Sequence, residues 1–182
     1  FSVVIPNWNG LRFLPTYLNA LRHQTFRDFE TIVVDNGSTD GSRERIAIEF
    51  PEVQIVALET NRGFAPAVNA GIRAARGDTV VLLNNDTEAD SHWLAEIARA
   101  LDTSPNAGMV VCKLRLFDQR DCIHSAGDYY RVDGIPGNRG VWEQDRGQYD
   151  DQEYGHEVAP NPECARRPAA AYALALRNHA LF

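Results

Sequence analysis

The sequence predicts an α/β domain whose central sheet is mostly parallel and is flanked by helices. Short apolar runs rich in β-branched residues recur through the first 113 residues, and stretches of helical length separate them. Continuous apolar runs are typical of parallel strands that are buried on both faces. The repetition of strand, helix and strand indicates right-handed βαβ units, and a chain of this length favours one compact domain.

Each predicted element follows from a local pattern. Strands are predicted from the apolar runs at residues 2–5, 31–34, 54–58, 79–83 and 109–112. Helices are predicted over residues 11–23, 43–50 and 91–101, where apolar side chains recur at helical spacing. A further helix is predicted over residues 65–76, which are alanine-rich and followed by Gly77. In the first of these helices, Leu14, Leu18 and Leu21 share one side.

The periodicity is lost from residue 114 to residue 167, where glycine, aspartate, tyrosine and proline dominate. An aperiodic segment of this length is usually functional or mobile, so we expect an irregular portion of the same domain. The final stretch "AAAYALALRNHALF" resumes ordered structure, either as a strand at residues 171–175 or as a helix. The two predicted portions of the domain are therefore residues 1–113 and 114–182.

Composition limits the classes of function. The formal net charge of −7 argues against a general nucleic-acid binder, because such proteins need basic surfaces that displace counterions. No apolar run approaches the roughly 20 residues of a membrane span. Three cysteines are too few for a disulfide framework, which favours a reducing compartment. These limits leave the binding of a small phosphate compound open.

A polar turn follows each of the first four predicted strands. The turns read "PNWNG" at residues 6–10, "DNGSTDGS" at 35–42, "TNRGF" at 60–64 and "NNDTEAD" at 84–90. One such turn is expected in any fold, because Asn, Asp and Gly are common turn residues. Four of them at the carboxyl ends of parallel strands meet at one edge of the sheet, where open α/β sheets bind their ligands. The sequence therefore predicts a binding crevice at this edge.

The residues in these turns suit a nucleotide. Asp35 can accept hydrogen bonds from a base N–H or a ribose hydroxyl, and Arg62 offers a planar fork for a base carbonyl or a phosphate. Asp86 is a hard oxygen ligand, suited to magnesium or manganese that is held mainly by phosphates. The chain contains neither GxGxxG nor a GxxxxGK motif, which disfavours a dinucleotide enzyme and a P-loop ATPase.

Four ordered motifs in this sequence resemble the amino-terminal half of glycosyltransferase family 2. They are "FSVVIPNWNG", "QTFRDFETIVVDNGSTDGS", "NRGFAPAVNAGIRAARGD" and "VVLLNNDTEADSHWL", and the resemblance covers residues 1 to about 113. The later "SAGDYY" and "DRGQYD" resemble a bacterial branch that is described as rhamnosyltransferase-like. The resemblance implies the GT-A fold, in which residues 1–113 bind a nucleotide-sugar and residues 114–182 form an incomplete acceptor side.

The resemblance also implies roles for individual residues. The loop from Pro6 borders the nucleobase, Asp35 binds the base, and Arg62 closes over it. The family's Asp-x-Asp element falls on residues 84–86, where Asn84 replaces the first aspartate and leaves open whether metal is obligatory. The implied nucleotide-binding residues are Pro6, Asn7, Asn9, Asp35, Arg62, Gly63, Asn69, Asn84 and Asn85, and the implied ligand of magnesium or manganese is Asp86.

The implied reaction is an inverting transfer of a sugar from a UDP- or dTDP-linked donor to a hydroxyl of a polysaccharide, lipid-linked or other acceptor. The family's general base is an aspartate in an acidic "ED" pair, beyond the segment that matches residues 181–182. We therefore expect a fold truncated at its C-terminus and assign no catalytic residue within it. We do not favour the other candidates for that base, which are His124, His156 and the acidic residues from 145 to 153.

Two other functions stay open. The chain could be a catalytically incomplete module that binds a nucleotide-sugar without turnover. A sugar-nucleotidyl transferase is the weaker alternative, because "PNWNG" lacks the glycine- and lysine-rich loop that such an enzyme needs. Trp8 and Trp142 could stack on a base or a sugar, with Trp142 as the preferred acceptor-side candidate, whereas Trp93 is predicted to be core.

The expected partners are a nucleotide-diphospho-sugar donor and a glycan or lipid-linked acceptor, with no nucleic acid. Sugar nucleotides of this kind are cytosolic, so the expected location is the cytoplasm. Peripheral association with the inner face of the membrane is left open.

Overall fold

The computed structural model describes residues 1–104, 107–150 and 173–177. The chain divides into two compact units. The first unit combines Phe1–Val110 with Ala171–Phe182, and the second is Val111–Ala170.

The first unit alternates strands and helices in the predicted order. Its amino-terminal elements are β1 (Ser2–Asn7), α1 (Leu14–Arg22), β2 (Glu30–Asn36), α2 (Ser42–Glu49), β3 (Gln54–Leu58), α3 (Phe64–Ala74), β4 (Thr79–Leu83), α4 (Trp93–Thr103) and β5 (Met109–Val111). Four short strands follow, namely β6 (Leu114–Arg115), β7 (Ile123–Ser125), β8 (Asp128–Tyr130) and β9 (Pro136–Asn138), and β10 (Ala173–Arg177) returns to the first unit.

One six-stranded sheet forms the centre of the first unit, with the strand order β3-β2-β1-β4-β10-β5. β1 is parallel to β2 and to β4, and β2 is parallel to β3. β10 is antiparallel to β4. The prediction of a mostly parallel sheet is confirmed. Of the two alternatives for the final stretch the strand is correct, although it occupies residues 173–177 rather than 171–175.

The strand order creates a topological switch point between β1 and β4. From β1 the chain moves outward to β2 and β3, and it then crosses to β4 on the other side of β1. Successive connections on opposite sides leave a crevice at the carboxyl ends of the two central strands. The loops that follow these strands are therefore placed around one opening.

The core explains why α3 lies against this sheet. Val4, Val34 and Val80 project from one face and pack with Ala67 of α3. Gly71, on the same helix, has no room for a Cβ, which would overlap Val4 Cγ1 and lie 2.9 Å from Val34 Cγ2. The missing side chain lets the helix backbone approach the valines closely.

The helices begin and end within three residues of the predicted bounds. α1 begins at Leu14 rather than at residue 11, because a turn closed by the bond from Phe13 N–H to the Gly10 carbonyl comes first. α2 follows Gly41, whose φ of 84° lies in the left-handed region that glycine enters easily. Trp93, predicted to be core, is half-buried at the start of α4.

The second unit is irregular, as its composition predicts. β6 pairs with β7 and β8 pairs with β9, both antiparallel, and none of these strands exceeds three residues. Lys113 forms ion pairs with Asp145 and Asp150.

Cys122 is bonded in a disulfide. The cysteine count therefore gives weaker grounds for a reducing compartment than the sequence alone indicated.

Across the three described ranges, no helix is both long enough and apolar enough to cross a bilayer.

Candidate functional site

A cleft of about 320 Å³ opens at the carboxyl ends of β1 and β4. Its wall comes from the loops after all four parallel strands of the first unit. The lining residues are Pro6, Asn7, Trp8, Asn36, Asn61, Gly63, Phe64, Asn84, Asn85 and Asp86. The predicted crevice is thus present at the switch point, and amides dominate its lining.

Asn7 connects three of the loops. Its side-chain Nδ2 donates to Ser42 Oγ at 3.1 Å and to Ser38 Oγ at 3.5 Å, while its Oδ1 accepts from Asn85 Nδ2 at 2.9 Å. The side chain is 1% exposed, so these bonds are shielded from water. Asn7 therefore fixes the loops after β1, β2 and β4 relative to one another.

Asn36 connects the loop after β3 to the end of β2. Its Nδ2 donates to Asn61 Oδ1 at 3.0 Å and to the Gly63 carbonyl at 3.1 Å, and its Oδ1 accepts from the Arg62 N–H at 2.9 Å. Asn61 Oδ1 also accepts from the Gly63 N–H at 2.8 Å. These bonds hold the backbone of the loop but leave the Arg62 side chain exposed.

Asp40 joins the loop after β1 to the start of α2. Its carboxylate accepts from the Leu11 N–H at 2.8 Å and from the Ser42 N–H at 3.0 Å. Burial by itself raises the pKa of a carboxyl group, but the hydrogen bonds from Leu11 and Ser42 outweigh it and hold the pKa of Asp40 below its usual value. Asp40 is therefore a charged part of the scaffold that supports the cleft.

Asp86 has the character expected of a cation ligand. It lines the cleft, and its Oδ1 is buried with no hydrogen-bond partner among the described residues. Asn84 beside it is held by the Thr87 hydroxyl, which donates to the Asn84 carbonyl at 2.6 Å. A buried carboxylate oxygen without a partner is costly unless a ligand completes it. The donor set therefore fits a hard divalent cation.

The described residues alone supply few ligands for such a cation. In the described part of the chain, no group of three or more His, Cys, Asp or Glu side chains is arranged to hold a metal ion. Magnesium and manganese are commonly bound by one or two carboxylates together with substrate phosphates. A single aspartate at the cleft suits that mode of binding rather than an all-protein site.

Asp35 lies beside the cleft rather than among its lining residues. It is 2% exposed, it pairs in register with Asn7, and its Oδ1 has no hydrogen-bond partner in the described ranges. Its place at the carboxyl end of β2 agrees with the predicted edge of the sheet. Its assigned contact with a base stays a prediction.

The structure separates the other predicted nucleotide residues into two groups. Pro6, Asn7, Gly63, Asn84 and Asn85 line the cleft together with Asp86, whereas Asn9, Arg62 and Asn69 do not. Asn9 instead binds the neighbouring loop, because its Oδ1 accepts from the Thr39 N–H at 2.8 Å and its N–H donates to Ser38 Oγ at 3.0 Å.

Three lining residues were absent from the predicted candidates, namely Asn36, Asn61 and Phe64, and Trp8 was predicted only as a stacking residue. Each is adjacent in sequence to a predicted residue and lies in a motif already recognised. Trp8 and Phe64 are 55% and 60% exposed, which is unusual for aromatic side chains. Exposed aromatic faces at a cleft offer stacking surfaces for a planar base.

The second unit holds the remaining candidates. His124 is buried, and its ring lies edge-on to that of Trp142 with 6.4 Å between centroids. Desolvation lowers the pKa of His124. Asp145 and Asp150 bind Lys113 at 2.9 and 2.5 Å, so they have a structural role here. His156, together with the acidic residues beyond 150, lies outside the described residues.

Comparison with known proteins defines the class to which this arrangement belongs. The family model described as glycosyl transferase family 2 matches residues 2–159. An uncharacterized glycosyltransferase of Nostoc sp. is 35% identical over 123 residues, which are 66% of this chain and 38% of that protein. The chain therefore belongs to glycosyl transferase family 2.

Solved structures give the same fold. The S. aureus TarS 1–349 structure in complex with UDP superposes with a TM-score of 0.59 at 27% identity, covering 63% of this chain and 35% of that one. The mannosyltransferase PcManGT of Pyrobaculum calidifontis, in complex with GDP-Man and Mn²⁺, gives a TM-score of 0.57 at 29% identity, again covering 63% of this chain and 35% of that one. The predicted GT-A-like fold is confirmed, and this chain spans well under two thirds of the relatives it matches.

Proposed function

We propose that this chain is the donor-binding part of an inverting glycosyltransferase that uses a nucleotide-diphospho-sugar. The observation that carries the proposal is Asp86, a cleft-lining carboxylate whose buried Oδ1 has no partner in the described part of the chain. The relatives in complex with UDP and with GDP-Man and Mn²⁺ support a ligand of this class.

The proposed ligand would span the cleft from β2 to β4. The base would lie near Asp35 and against the exposed ring of Trp8, with the Arg62 and Gly63 loop closing over it. The amide side chains of Asn84 and Asn85 would bind the ribose and the adjoining phosphate. Asp86 would hold magnesium or manganese, which when bound supplies positive charge next to the diphosphate.

The proposed reaction replaces one bond at the anomeric carbon with another. An acceptor hydroxyl oxygen bonds to that carbon from the side opposite the diphosphate, while the bond from the carbon to the β-phosphate oxygen breaks. The hydroxyl proton passes to a general base, and the nucleoside diphosphate leaves. This chain's contribution is to orient the donor, because we assign the base to no described residue.

Titration calorimetry tests donor binding directly. UDP, dTDP and GDP are titrated into the protein with manganese present and with manganese removed by chelator. We expect at least one nucleotide to bind and to bind more tightly with manganese. Asp86→Asn should weaken the manganese-dependent binding by at least about tenfold, because it removes the cleft-lining carboxylate that we propose holds the cation.

Asp78→Asn is the matched control, since Asp78 is exposed just before β4, at the opposite end of that strand from the cleft. This variant should bind as the unmodified protein does. A folded protein that binds no nucleotide under either condition would contradict the proposal. Binding without sugar transfer to any acceptor would favour the alternative, a module that binds a nucleotide-sugar and does not turn it over.

The finer assignments are part of the same proposal. The motifs "SAGDYY" and "DRGQYD" favour the bacterial rhamnosyltransferase-like branch and hence a role in cell-surface polysaccharide synthesis. We propose a UDP- or dTDP-linked donor, a glycan or lipid-linked acceptor, and no nucleic-acid partner. We also propose a cytoplasmic location, because such donors are cytosolic, with peripheral membrane contact when the acceptor is lipid-linked.

A further inference from the structure

Tyr17 carries a buried hydroxyl that the fold does not use. Its side chain is 0% exposed in the first turn of α1, and its hydroxyl has no hydrogen-bond partner among the described residues. A phenylalanine would fill the same space without burying a polar atom. Buried polar groups without partners are rare in folded proteins, and they often mark a functional requirement.

Asp35 carries another buried polar atom of this kind. Its Oδ1 is buried and lacks a partner in the part of the chain that the structure describes, and the residue lies at the carboxyl end of β2, beside the cleft. A carboxylate has two oxygens and room for several donors. One oxygen can therefore accept from a ligand while the other accepts from a protein group.

The side chains of Tyr17 and Asp35 lie on the same side of the sheet. Ile32 and Val34 of β2 pack with α3, and Asp35 alternates with them, so its side chain points to the opposite face. Asn7, its partner in register, also faces that side, where it binds Ser42 of α2. Arg22 of α1 donates to the Glu49 carbonyl of α2 at 2.6 Å, so α1 packs beside α2 on this same face.

The protonation state of Tyr17 makes it a hydrogen-bond donor. Burial first, and then the charges of Asp35 and Asp40, raise the pKa of the Tyr17 hydroxyl well above its usual value. The hydroxyl therefore keeps its proton at neutral pH. Asp35 and Asp40 are both acceptors, but Asp40 is already bound by Leu11 and Ser42.

We propose that Tyr17 is a positioning residue, which donates its hydroxyl hydrogen bond to Asp35 when a nucleotide is bound. The proposal rests on the proposed function, in which a base N–H donates to Asp35. Contact with the base turns the carboxylate and brings its second oxygen to the tyrosine. The free-energy cost of the unpaired hydroxyl is therefore present in the protein without nucleotide and is removed when a nucleotide binds.

The variant Tyr17→Phe separates this role from a structural one. Removal of a buried hydroxyl that has no partner should leave Tm unchanged or raise it. The affinity for UDP should nevertheless fall by about tenfold, the factor expected when a carboxylate loses one hydrogen bond. Inorganic pyrophosphate with manganese should bind as tightly as before, because it carries no base and depends on Asp86.

Two further variants complete the experiment. Tyr149→Phe makes the same chemical change where the hydroxyl donates to Glu143 at 3.0 Å, so it should lower Tm and leave UDP affinity unchanged. In an Asp35→Asn background, Tyr17→Phe should cause little additional loss of UDP affinity, because the charged acceptor is already gone.

The outcomes distinguish this inference from the function on which it rests. If the unmodified protein binds UDP and Tyr17→Phe binds it equally well, Tyr17 does not position Asp35 and the inference fails alone. If Tyr17→Phe lowers Tm and weakens UDP and pyrophosphate together, the residue is structural and the inference also fails. If the unmodified protein binds no nucleotide, the proposed function and the inference fall together.

Discussion

Gly10 shows how a single residue sets the geometry of the cleft. A Cβ at this position would overlap both Asn7 Oδ1 and Asn85 Nδ2, the two atoms whose hydrogen bond joins the loops after β1 and β4. The glycine is required here for space rather than for backbone conformation. The space it leaves is what allows the two amides to meet.

Gly10→Ala should therefore separate these loops. We expect a loss of stability of about 1–3 kcal/mol, since the added methyl displaces a buried hydrogen-bonded pair. Nucleotide affinity should fall as well, because Asn84 and Asp86 flank Asn85 in the same loop. Urea denaturation and calorimetry measure the two effects. An unchanged free energy of unfolding would mean that the pair can move aside at no cost.

The sequence predicts which residue types form the site, but it does not predict their hydrogen-bond partners. The turns after the strands predict that Asn7 and Asn9 lie at the cleft edge, because turn residues follow strands closely in sequence. Their hydrogen bonds, however, are made to Ser38 and Thr39 in the loop after β2 and to Ser42 at the start of α2. Contacts between loops depend on strand register and loop conformation, which no local pattern encodes.

At the level of elements, helix α3 illustrates why most predictions of secondary structure succeed. Its alanine-rich sequence and one buried face are local properties, so the sequence predicts its bounds to within two residues. The closeness of its packing is not readable in the same way. Gly71 lowers helix propensity, and only the valines of β1 and β2 explain its presence.

Gly71→Ala should destabilise the protein although alanine is the better helix former. The added Cβ would overlap Val4 and approach Val34, and overpacking of this kind costs about 1–3 kcal/mol. The gain in helix propensity offsets at most about 1 kcal/mol of that cost. Arg73→Ala, at an exposed position of the same helix, is the control and should change stability by less than about 0.5 kcal/mol. A more stable Gly71→Ala protein would show that α3 can shift outward freely.

At the scale of the whole molecule, the order of the strands was the feature least predictable from the sequence. The βαβ rhythm predicts parallel neighbours, and β1 to β4 obey it. The stretch that contains β10 reads equally well as strand or helix, because a short apolar run has no decisive period. Its antiparallel place between β4 and β5 depends on packing across the entire sheet.

Ala175→Pro tests whether β10 is an interior strand. Proline has no N–H to donate to the ladder, and it is rarely tolerated between two neighbouring strands. The carbonyl left without a donor should by itself cost about 1–3 kcal/mol. Ala175→Ser keeps the N–H and serves as the control. Equal unfolding midpoints for the two variants would indicate that β10 contributes little to the sheet.

The position of β10 also has a consequence for how the protein is made. Ala173 pairs with Leu83, yet a ribosome releases β4 long before it reaches β10. During that interval one edge of β4 exposes peptide groups that have no partner strand, beside apolar side chains. Nascent chains in this state are prone to pair with one another. A chain from which β10 has yet to emerge is therefore expected to aggregate through β4.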